Sequence, residues 1–186
     1  MRESLIEVRF HGRGGQGAWT ASLLLAQAGL RENKYIQSFP TFGPERAGAP
    51  ITAFTRISDE PIYLHCSVYE PDVVVVLDPT LLGSAVVEGL KPDTKILVNT
   101  DQSPTEIRAS IGVEQGIIYV LDATSLAIKI LGRPITNTAM LGAVVKATGM
   151  VELDSLMGVV RERFSERIGE LNLELLKTAQ GEVRTE

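Results

Sequence analysis

An unbroken apolar stretch in the middle of the chain, Val73–Leu77, constrains the fold most. A strand without a polar position is typical of the centre of a parallel sheet that is covered on both faces. Further strand-like runs follow at Lys95–Val98 and Ile117–Leu121, and helical sequences lie at Thr80–Leu90 and Ala123–Leu131. This alternation predicts an α/β fold with a mainly parallel, doubly wound sheet of Rossmann-like type.

Near its start the chain carries a glycine-rich turn, Gly12-Arg13-Gly14-Gly15-Gln16-Gly17, between a strand-like run and a helix-like run. Glycine allows positive φ angles and lets another molecule approach the backbone closely. The spacing fits the dinucleotide-binding pattern, but an NAD site also needs an acidic residue after the second strand, Lys34–Ser38, and none stands there. Three interpretations stay open: close packing of a helix on a sheet, an anion site at the helix start, or an NAD site.

Two other stretches predict departures from a simple alternating fold. In the first strand, Glu7 and Arg9 alternate with apolar residues, so either one face is thinly covered or the charged residues are paired. The runs Ile51–Ile57 and Ile62–Leu64, separated by a turn, predict an inserted antiparallel hairpin.

The C-terminal part of the chain predicts helices. Asn137 can cap a helix at Thr138–Thr148, and an amphipathic pattern runs from Leu153 to Ile168 before continuing or starting again near Leu171. We expect one domain over residues 1–186, with residues 181–186 as a frayed tail.

Polar residues follow three of the predicted parallel strands: Asp78, Asn99 and Asp122. Right-handed crossovers bring these strand ends and the glycine turn to one edge of the sheet, where ligands bind in open α/β folds. The alternative is that these residues cap helices or form turns.

Composition excludes several classes of protein. The chain has 186 residues, 44% of them hydrophobic, without a run of 18 apolar residues, so we expect no membrane span. The first residues lack the apolar stretch of a signal peptide, so a cytoplasmic location is expected. The net charge of −5 with scattered basic residues argues against nucleic-acid binding.

The single cysteine, Cys66, and the two histidines exclude a disulfide framework, and together they predict no metal site. An iron–sulfur cluster needs about four thiolates, more than this chain has. We expect Cys66 to be buried or half-buried. The sequence contains neither a P-loop nor an evident nucleophile beside a histidine, so no catalytic residue is assigned to this chain alone.

A second segment, Pro40–Gly48, contains three consecutive residues Gly43-Pro-Glu45 followed by Arg46. Together with Gly12–Gly17, Arg56–Ile62, Pro71–Asp78 and Asn137–Ala143, in this order, it resembles the gamma subunit or gamma domain of 2-oxoacid:ferredoxin oxidoreductases. The resemblance covers about residues 5–180 and is greatest to the gamma chains of four-subunit pyruvate:ferredoxin oxidoreductases, also called pyruvate synthases.

The resemblance implies a complex that oxidatively decarboxylates a 2-oxoacid, forms acyl-coenzyme A and reduces ferredoxin. Thiamine diphosphate, Mg and [4Fe–4S] clusters would belong to the alpha, beta and delta subunits, and this chain would be inactive alone. It would contribute to assembly and to the active-site and coenzyme A region. By this resemblance, the parts of the chain that would face the active-site and coenzyme A region are the loop Gly12–Gly17 and the residues Gly43, Glu45 and Arg46.

Within those loops, Arg13 and Arg46 are the candidates to bind coenzyme A phosphates or a carboxylate, because the forked guanidinium suits such anions. Two alternatives remain: a self-sufficient NAD(P)-binding oxidoreductase with a Rossmann-like fold, and a non-catalytic adaptor.

Overall fold

The structure of the protein is a computed structural model that describes residues 5–41 and 48–186. Its strands are β1 Ile6–Arg13, β2 Tyr35–Pro40, β3 Pro50–Ser58, β4 Val73–Val76, β5 Lys95–Asn99, β6 Ile117–Leu121 and β7 Arg184–Thr185. Its helices are α1 Ala18–Arg31, the single turn α2 Ser84–Val87, α3 Pro104–Ile111, α4 Ala123–Leu131, α5 Asn137–Thr148, α6 Leu153–Arg163 and α7 Glu166–Glu182. A 3₁₀ turn spans Pro79–Leu81.

The strands form one seven-stranded sheet in the order β2-β3-β1-β4-β5-β6-β7. The strands β1, β4, β5 and β6 are parallel to one another, and β2, β3 and β7 add antiparallel pairs at the two sides. The predicted α/β class, with antiparallel additions and C-terminal helices, is therefore confirmed.

The predicted hairpin was wrong in its second strand. The strand β3 pairs with β2 on one side and with β1 on the other, while Ile62–Leu64 forms no strand. Both edges of β3 are thus occupied, and no hydrogen-bonding edge remains for a further strand. The segment after β3 also carries Cys66, which is exposed and not buried as predicted.

The charged residues of β1 are paired inside the protein, so no face of the strand is thinly covered. Arg9 is only 5% exposed, and its Nη2 donates to the carbonyl oxygens of Val86 and Glu88 at 3.0 and 2.7 Å. Glu7 accepts from Nε of the buried Arg56 at 2.7 Å. Buried charges are tolerated where such partners satisfy them.

Several predicted helix limits differ from the structure. The helix predicted at Thr80–Leu90 is a 3₁₀ turn followed by the single turn α2, with Gly83 in an extended conformation between them. The helix predicted to begin at Leu153 ends at Arg163, because Phe164 and Ser165 adopt extended backbone angles before α7 begins.

The last residues, 181–186, were predicted to be a frayed tail, but they are tied to the sheet. They end α7 and form β7, which pairs with β6. Glu186 pairs with Arg108 and also accepts the backbone N–H of Ile118 at 3.2 Å. These contacts supply the backbone and charge partners that a free tail would lack.

Two apolar cores cover the two faces of the sheet. The smaller lies under α2 and α3, and the larger joins α1 to the C-terminal helices. The first nine residues of α5, 137–145, are all buried. A Cβ at Gly142 would lie 2.5 Å from the carbonyl oxygen of Leu176, so only glycine allows α5 and α7 to approach this closely.

Among the described helices, none is long and apolar enough to cross a membrane. A search of the same residues finds no group of three or more potential metal ligands among His, Cys, Asp and Glu.

Candidate functional site: a basic cleft beside the glycine turn

The glycine turn connects β1 to α1 and combines close packing with unusual backbone angles. A Cβ at Gly12 would lie 3.1 Å from Cβ of Ala18 and 3.3 Å from Cδ1 of Leu77. Gly15 and Gly17 have φ angles of 97° and 81°, which disfavour other residues. Close packing therefore accounts for Gly12, the shape of the turn accounts for Gly15, and both apply to Gly17.

A hydrogen-bond network holds the turn against the end of β4. The backbone N–H of Arg13 donates to Oε1 of Gln16 at 2.8 Å, and Nε2 of Gln16 donates to Oδ2 of Asp78 at 2.9 Å. Arg13 Nε also donates to Asp78 Oδ2 at 3.1 Å. Burial raises the pKa of Asp78, but hydrogen bonds from Thr80 and Gln16 and the charge of Arg13 outweigh burial, so the pKa is below its ordinary value.

The turn also binds the residues that precede β3. Gly14 donates its N–H to the carbonyl of Ala49 at 2.9 Å, and Gly48 donates its N–H to the carbonyl of Gly14 at 3.1 Å. Arg13 Nη1 donates to the carbonyl of Gly48 at 3.1 Å.

The structure therefore brings the predicted site residues Gly12–Gly17 into contact with Gly48, the last residue of the second predicted segment, Pro40–Gly48. The candidates Gly43, Glu45 and Arg46 lie outside the described residues.

Two helices begin beside this turn without side-chain caps. The N-cap of α1 is Gly17 and that of α5 is Thr136, and neither helix has an acidic residue in its first turn. The two starts are close, because a Cβ at Gly17 would lie 2.7 Å from Nδ2 of Asn137. Two uncapped helix N-termini favour an anion at this position.

A cleft of about 680 Å³ opens at these helix starts. Its wall includes Gly15, Gln16, Gly17, Thr20, Leu131, Arg133, Ile135, Asn137, Arg163, Phe164, Arg167, Ile168, Leu171 and Asn172. Among the described residues, those that line the cleft include three arginines and no acid. The wall of the cleft therefore combines cationic and apolar side chains.

The three arginines are not neutralised by the rest of the described chain. The guanidinium groups of Arg133 and Arg167 form no ion pair or hydrogen bond with residues 5–41 and 48–186. Arg163 makes only a ring contact, with its Cζ 5.9 Å from the centre of the Phe164 ring. An unpaired guanidinium offers forked N–H donors to phosphate or carboxylate groups.

Asn137 adds an amide donor to the same wall. It is 5% exposed, and its Oδ1 accepts the N–H of Thr138 at 2.9 Å. Within the described part of the chain, its Nδ2 has no acceptor. A buried amide that lines a cleft with an unused donor suits an oxygen atom of a bound molecule.

The polar residues after the parallel strands divide into two groups. Asp122 accepts the N–H of Ser125 at 2.9 Å and caps α4, while Asn99 donates to the carbonyl of Leu77 at 2.8 Å. These two residues have the capping and turn roles that we considered as the alternative to a ligand site. Asp78 caps the 3₁₀ turn and also joins the network of the glycine turn.

The sheet order also bears on the NAD interpretation. In a dinucleotide-binding fold, the strand that carries the ribose-binding acid lies directly beside the strand of the glycine turn. Here β3 separates β2 from β1. The structure therefore does not favour a conventional NAD site.

Comparisons with known proteins agree with the resemblance seen in the sequence. The family model described as pyruvate ferredoxin/flavodoxin oxidoreductase matches residues 7–181. A pyruvate/ketoisovalerate oxidoreductases common subunit gamma from Thermococcus kodakarensis is 53% identical over 176 residues, covering 94% of this chain and 95% of the relative. The pyruvate synthase subunit PorC of Methanothermobacter marburgensis is 49% identical over 176 residues, covering 94% of this chain and 96% of the relative.

The fold is shared with a solved structure. The crystal structure of the pyruvate oxidoreductase subunit PORC from Thermotoga maritima matches with a TM-score of 0.90 at 43% identity. The match covers 98% of this chain and 99% of the other. The chain therefore belongs to the pyruvate ferredoxin/flavodoxin oxidoreductase family, and in length and fold it corresponds to the gamma subunits of that family.

Proposed function

We propose that this chain is the gamma subunit of a multi-subunit pyruvate:ferredoxin oxidoreductase, and that its basic cleft forms part of the coenzyme A region. The complex oxidatively decarboxylates pyruvate, transfers the acyl group to coenzyme A and passes electrons to ferredoxin. Relatives about half identical in sequence, named as pyruvate synthase subunits and as gamma subunits of pyruvate/ketoisovalerate oxidoreductases, support this assignment.

The observation that carries the coenzyme A role is the composition of the cleft. Coenzyme A bears a diphosphate and a further phosphate on an otherwise largely uncharged molecule. Arg133, Arg163 and Arg167 supply unpaired cations for such phosphates. Phe164 and Leu171, from the same wall, offer apolar surface to the remaining part of the ligand.

The glycine turn contributes backbone N–H donors, and its lack of side chains lets a ligand come close to the backbone. Within the described residues, the N–H groups of Gly15, Gly17 and Ala18 have no acceptor. In the described part of the chain, the Arg13 guanidinium uses three of its five N–H donors, one each for Asp78, Gly48 and Thr80. Its charge is already shared with Asp78, so it is a weaker phosphate ligand than the cleft arginines. The loop residues Gly43, Glu45 and Arg46 are proposed to face the same region.

The other cofactors are assigned to partner subunits. This chain has a single, exposed cysteine, so the [4Fe–4S] clusters are bound elsewhere in the complex, as are thiamine diphosphate and its Mg. The partners proposed are the alpha, beta and delta subunits, and ferredoxin and coenzyme A engage the complex as a whole. On the outer face of α1, Trp19, Leu23 and Leu30 are 50%, 38% and 57% exposed and supply apolar surface for assembly.

The test is the coenzyme A dependence of the complete complex with Arg163→Ala and Arg167→Ala in this chain. Loss of a charge-assisted hydrogen bond costs about 1.5–3 kcal/mol, so KM for coenzyme A should rise by roughly 10- to 150-fold per arginine. Turnover at saturating coenzyme A should change little, because uniform binding energy is removed.

Arg161→Ala is the matched control. Arg161 lies on α6, the helix that ends at Arg163. Its side chain is 58% exposed and does not line the cleft. It should leave KM for coenzyme A unchanged. Equal KM values for all three variants would refute the coenzyme A role of the cleft. Purification of the chain from its native cell without partners that carry thiamine diphosphate and iron would refute the subunit assignment.

A further inference from the structure

We infer that Asp78 is a positioning residue, which fastens the glycine turn to the sheet edge and, through Arg13, to Gly48. The sequence is compatible with two roles for Asp78, a helix cap or a residue that contacts a ligand. The geometry assigns Asp78 a positioning role instead, because both of its carboxylate oxygens hold other parts of the site. Its effect on the coenzyme A region rests on the function proposed above.

The hydrogen-bonding capacity of Asp78 is filled. Oδ1 accepts from the backbone N–H of Thr80 at 3.0 Å and from its hydroxyl at 2.7 Å. Oδ2 accepts from Arg13 Nε at 3.1 Å and from Gln16 Nε2 at 2.9 Å. A carboxylate offers about four acceptor positions, so Asp78 keeps none for a ligand or for a proton in transfer.

The two oxygens connect different parts of the chain. Oδ1 belongs to the cap of the 3₁₀ turn that follows β4, whereas Oδ2 holds the side chains of the glycine turn. Because the Gln16 amide also accepts the backbone N–H of Arg13 at 2.8 Å, the carboxylate fixes the backbone of the turn and not only its side chains.

The fastening continues to the segment before β3. The guanidinium of Arg13, oriented by Asp78, donates to the carbonyl of Gly48 at 3.1 Å. Two backbone hydrogen bonds of Gly14, one with Ala49 and one with Gly48, lie beside this contact. Loss of the carboxylate charge should therefore loosen two segments that are about 35 residues apart in sequence.

This arrangement has a consequence for ligand binding. The N–H groups of Gly15 and Gly17, which have no acceptor among the described residues, belong to the turn that Asp78 holds. A loosened turn would present these donors in many orientations. Preorganised donors bind more tightly than donors that must be ordered during binding. Asp78 should thus change affinity without contacting the ligand.

The experiment is hydrogen exchange of the assembled complex with Asp78→Asn, read on peptides that contain Gly14 and on peptides that contain Gly48. Exchange should be faster by about tenfold in both segments, because their hydrogen bonds open more often. Asp122→Asn is the control, since Asp122 also follows a parallel strand and caps a helix but does not contact the glycine turn. Equal exchange in the two variants would overturn the inference.

A second variant tests the contact between Asp78 and the glycine turn by changing a residue of the turn. Gln16→Met removes both amide hydrogen bonds and leaves the cap of the 3₁₀ turn intact. It should also accelerate exchange at Gly14, and unchanged exchange there would again contradict the inference. Since methionine is close to glutamine in size, the variant remains informative if Asp78→Asn fails to fold.

Kinetics of the same complexes separate this inference from the proposed function. Asp78→Asn, at a residue outside the wall of the cleft, should raise KM for coenzyme A while kcat stays within about twofold. Faster exchange with an unchanged KM supports the positioning role and refutes the placement of coenzyme A. A raised KM without faster exchange refutes the positioning role, because Asp78 would then act on the ligand directly.

Discussion

Replacement of Gly17 by alanine tests how the glycine turn and α5 fit together. Gly17 has a φ angle of 81°, and a Cβ there would lie 2.7 Å from Nδ2 of Asn137. Alanine would therefore adopt a strained backbone conformation and would also displace the buried Asn137 side chain. Gly15 has a φ angle of 97°, and a Cβ there would meet no atom of another described segment within 4 Å, so Gly15→Ala isolates the effect of strain.

The expected magnitudes follow from these two contacts. A left-handed conformation costs alanine about 1–2 kcal/mol, so Gly15→Ala should lower the free energy of unfolding by that amount. In Gly17→Ala, displacement of Asn137 also weakens the hydrogen bond that its Oδ1 accepts from the Thr138 N–H, at a further cost of about 0.5–1.5 kcal/mol. For a chain of 186 residues, each kcal/mol lowers Tm by roughly 2–4 °C.

The assay is urea unfolding of the purified variants followed by circular dichroism, with thermal unfolding as a second measurement. The double variant Gly17→Ala with Asn137→Ala completes a cycle, because the clash is absent once the amide is removed. Equal destabilisation by Gly15→Ala and Gly17→Ala would show that Asn137 does not restrict the turn and would refute this reasoning.

Three further predictions concern other parts of the fold. Burial, and then the charge of Arg9, lower the pKa of His11 from 6.5 to about 4, so the unfolded state binds more protons between these values. The free energy of unfolding should therefore fall by up to about 3 kcal/mol as the pH decreases from 6.5 through 4. In His11→Gln, the urea-unfolding midpoint should depend much less on pH over this range. Gly142→Ala should cost about 1–3 kcal/mol by overpacking, whereas Gly181→Ala, in open space, should be neutral or stabilising in thermal unfolding. Ser103→Ala should cost about 1 kcal/mol in urea unfolding, because Ser103 forms the capping box of α3.

The central strands could be predicted because their sequence alone required burial. The unbroken apolar run of β4 fits only the centre of a covered sheet, and its four residues are buried. In contrast, the polar residues of β1 suggested an exposed or paired face, since two of the three acceptors that satisfy Arg9 are 77 and 79 residues away in sequence. Sequence periodicity reports the polarity of a position and not its distant partners.

The helix α3 was absent from the prediction although its signal is local. Ser103 and Glu106 form a capping box, and Pro104 occupies the first helical position. The two side chains at spacing three could have indicated a helix start between β5 and β6.

For the candidate site, the glycine turn was visible in the sequence but the cleft was not. The turn has a compact pattern within six residues. The three arginines are far apart in the chain, because Arg133 follows α4, Arg163 ends α6 and Arg167 lies in the first turn of α7. Asn137 was interpreted as the cap of α5, yet the structure makes it the first helical residue and places it in the wall of the cleft. Packing of α5, α6 and α7 brings these side chains together, and this packing has no local sequence signal.

The close contact at Gly142 has a thermodynamic consequence for the cleft. The helix α5 meets the glycine turn at Asn137 and meets α7 at Gly142, so opposite sides of the cleft are joined through one buried helix. Such a joint leaves little freedom for the two sides to separate. A ligand that enters the cleft should therefore bind with a small loss of conformational entropy, since the protein is already ordered before the ligand arrives.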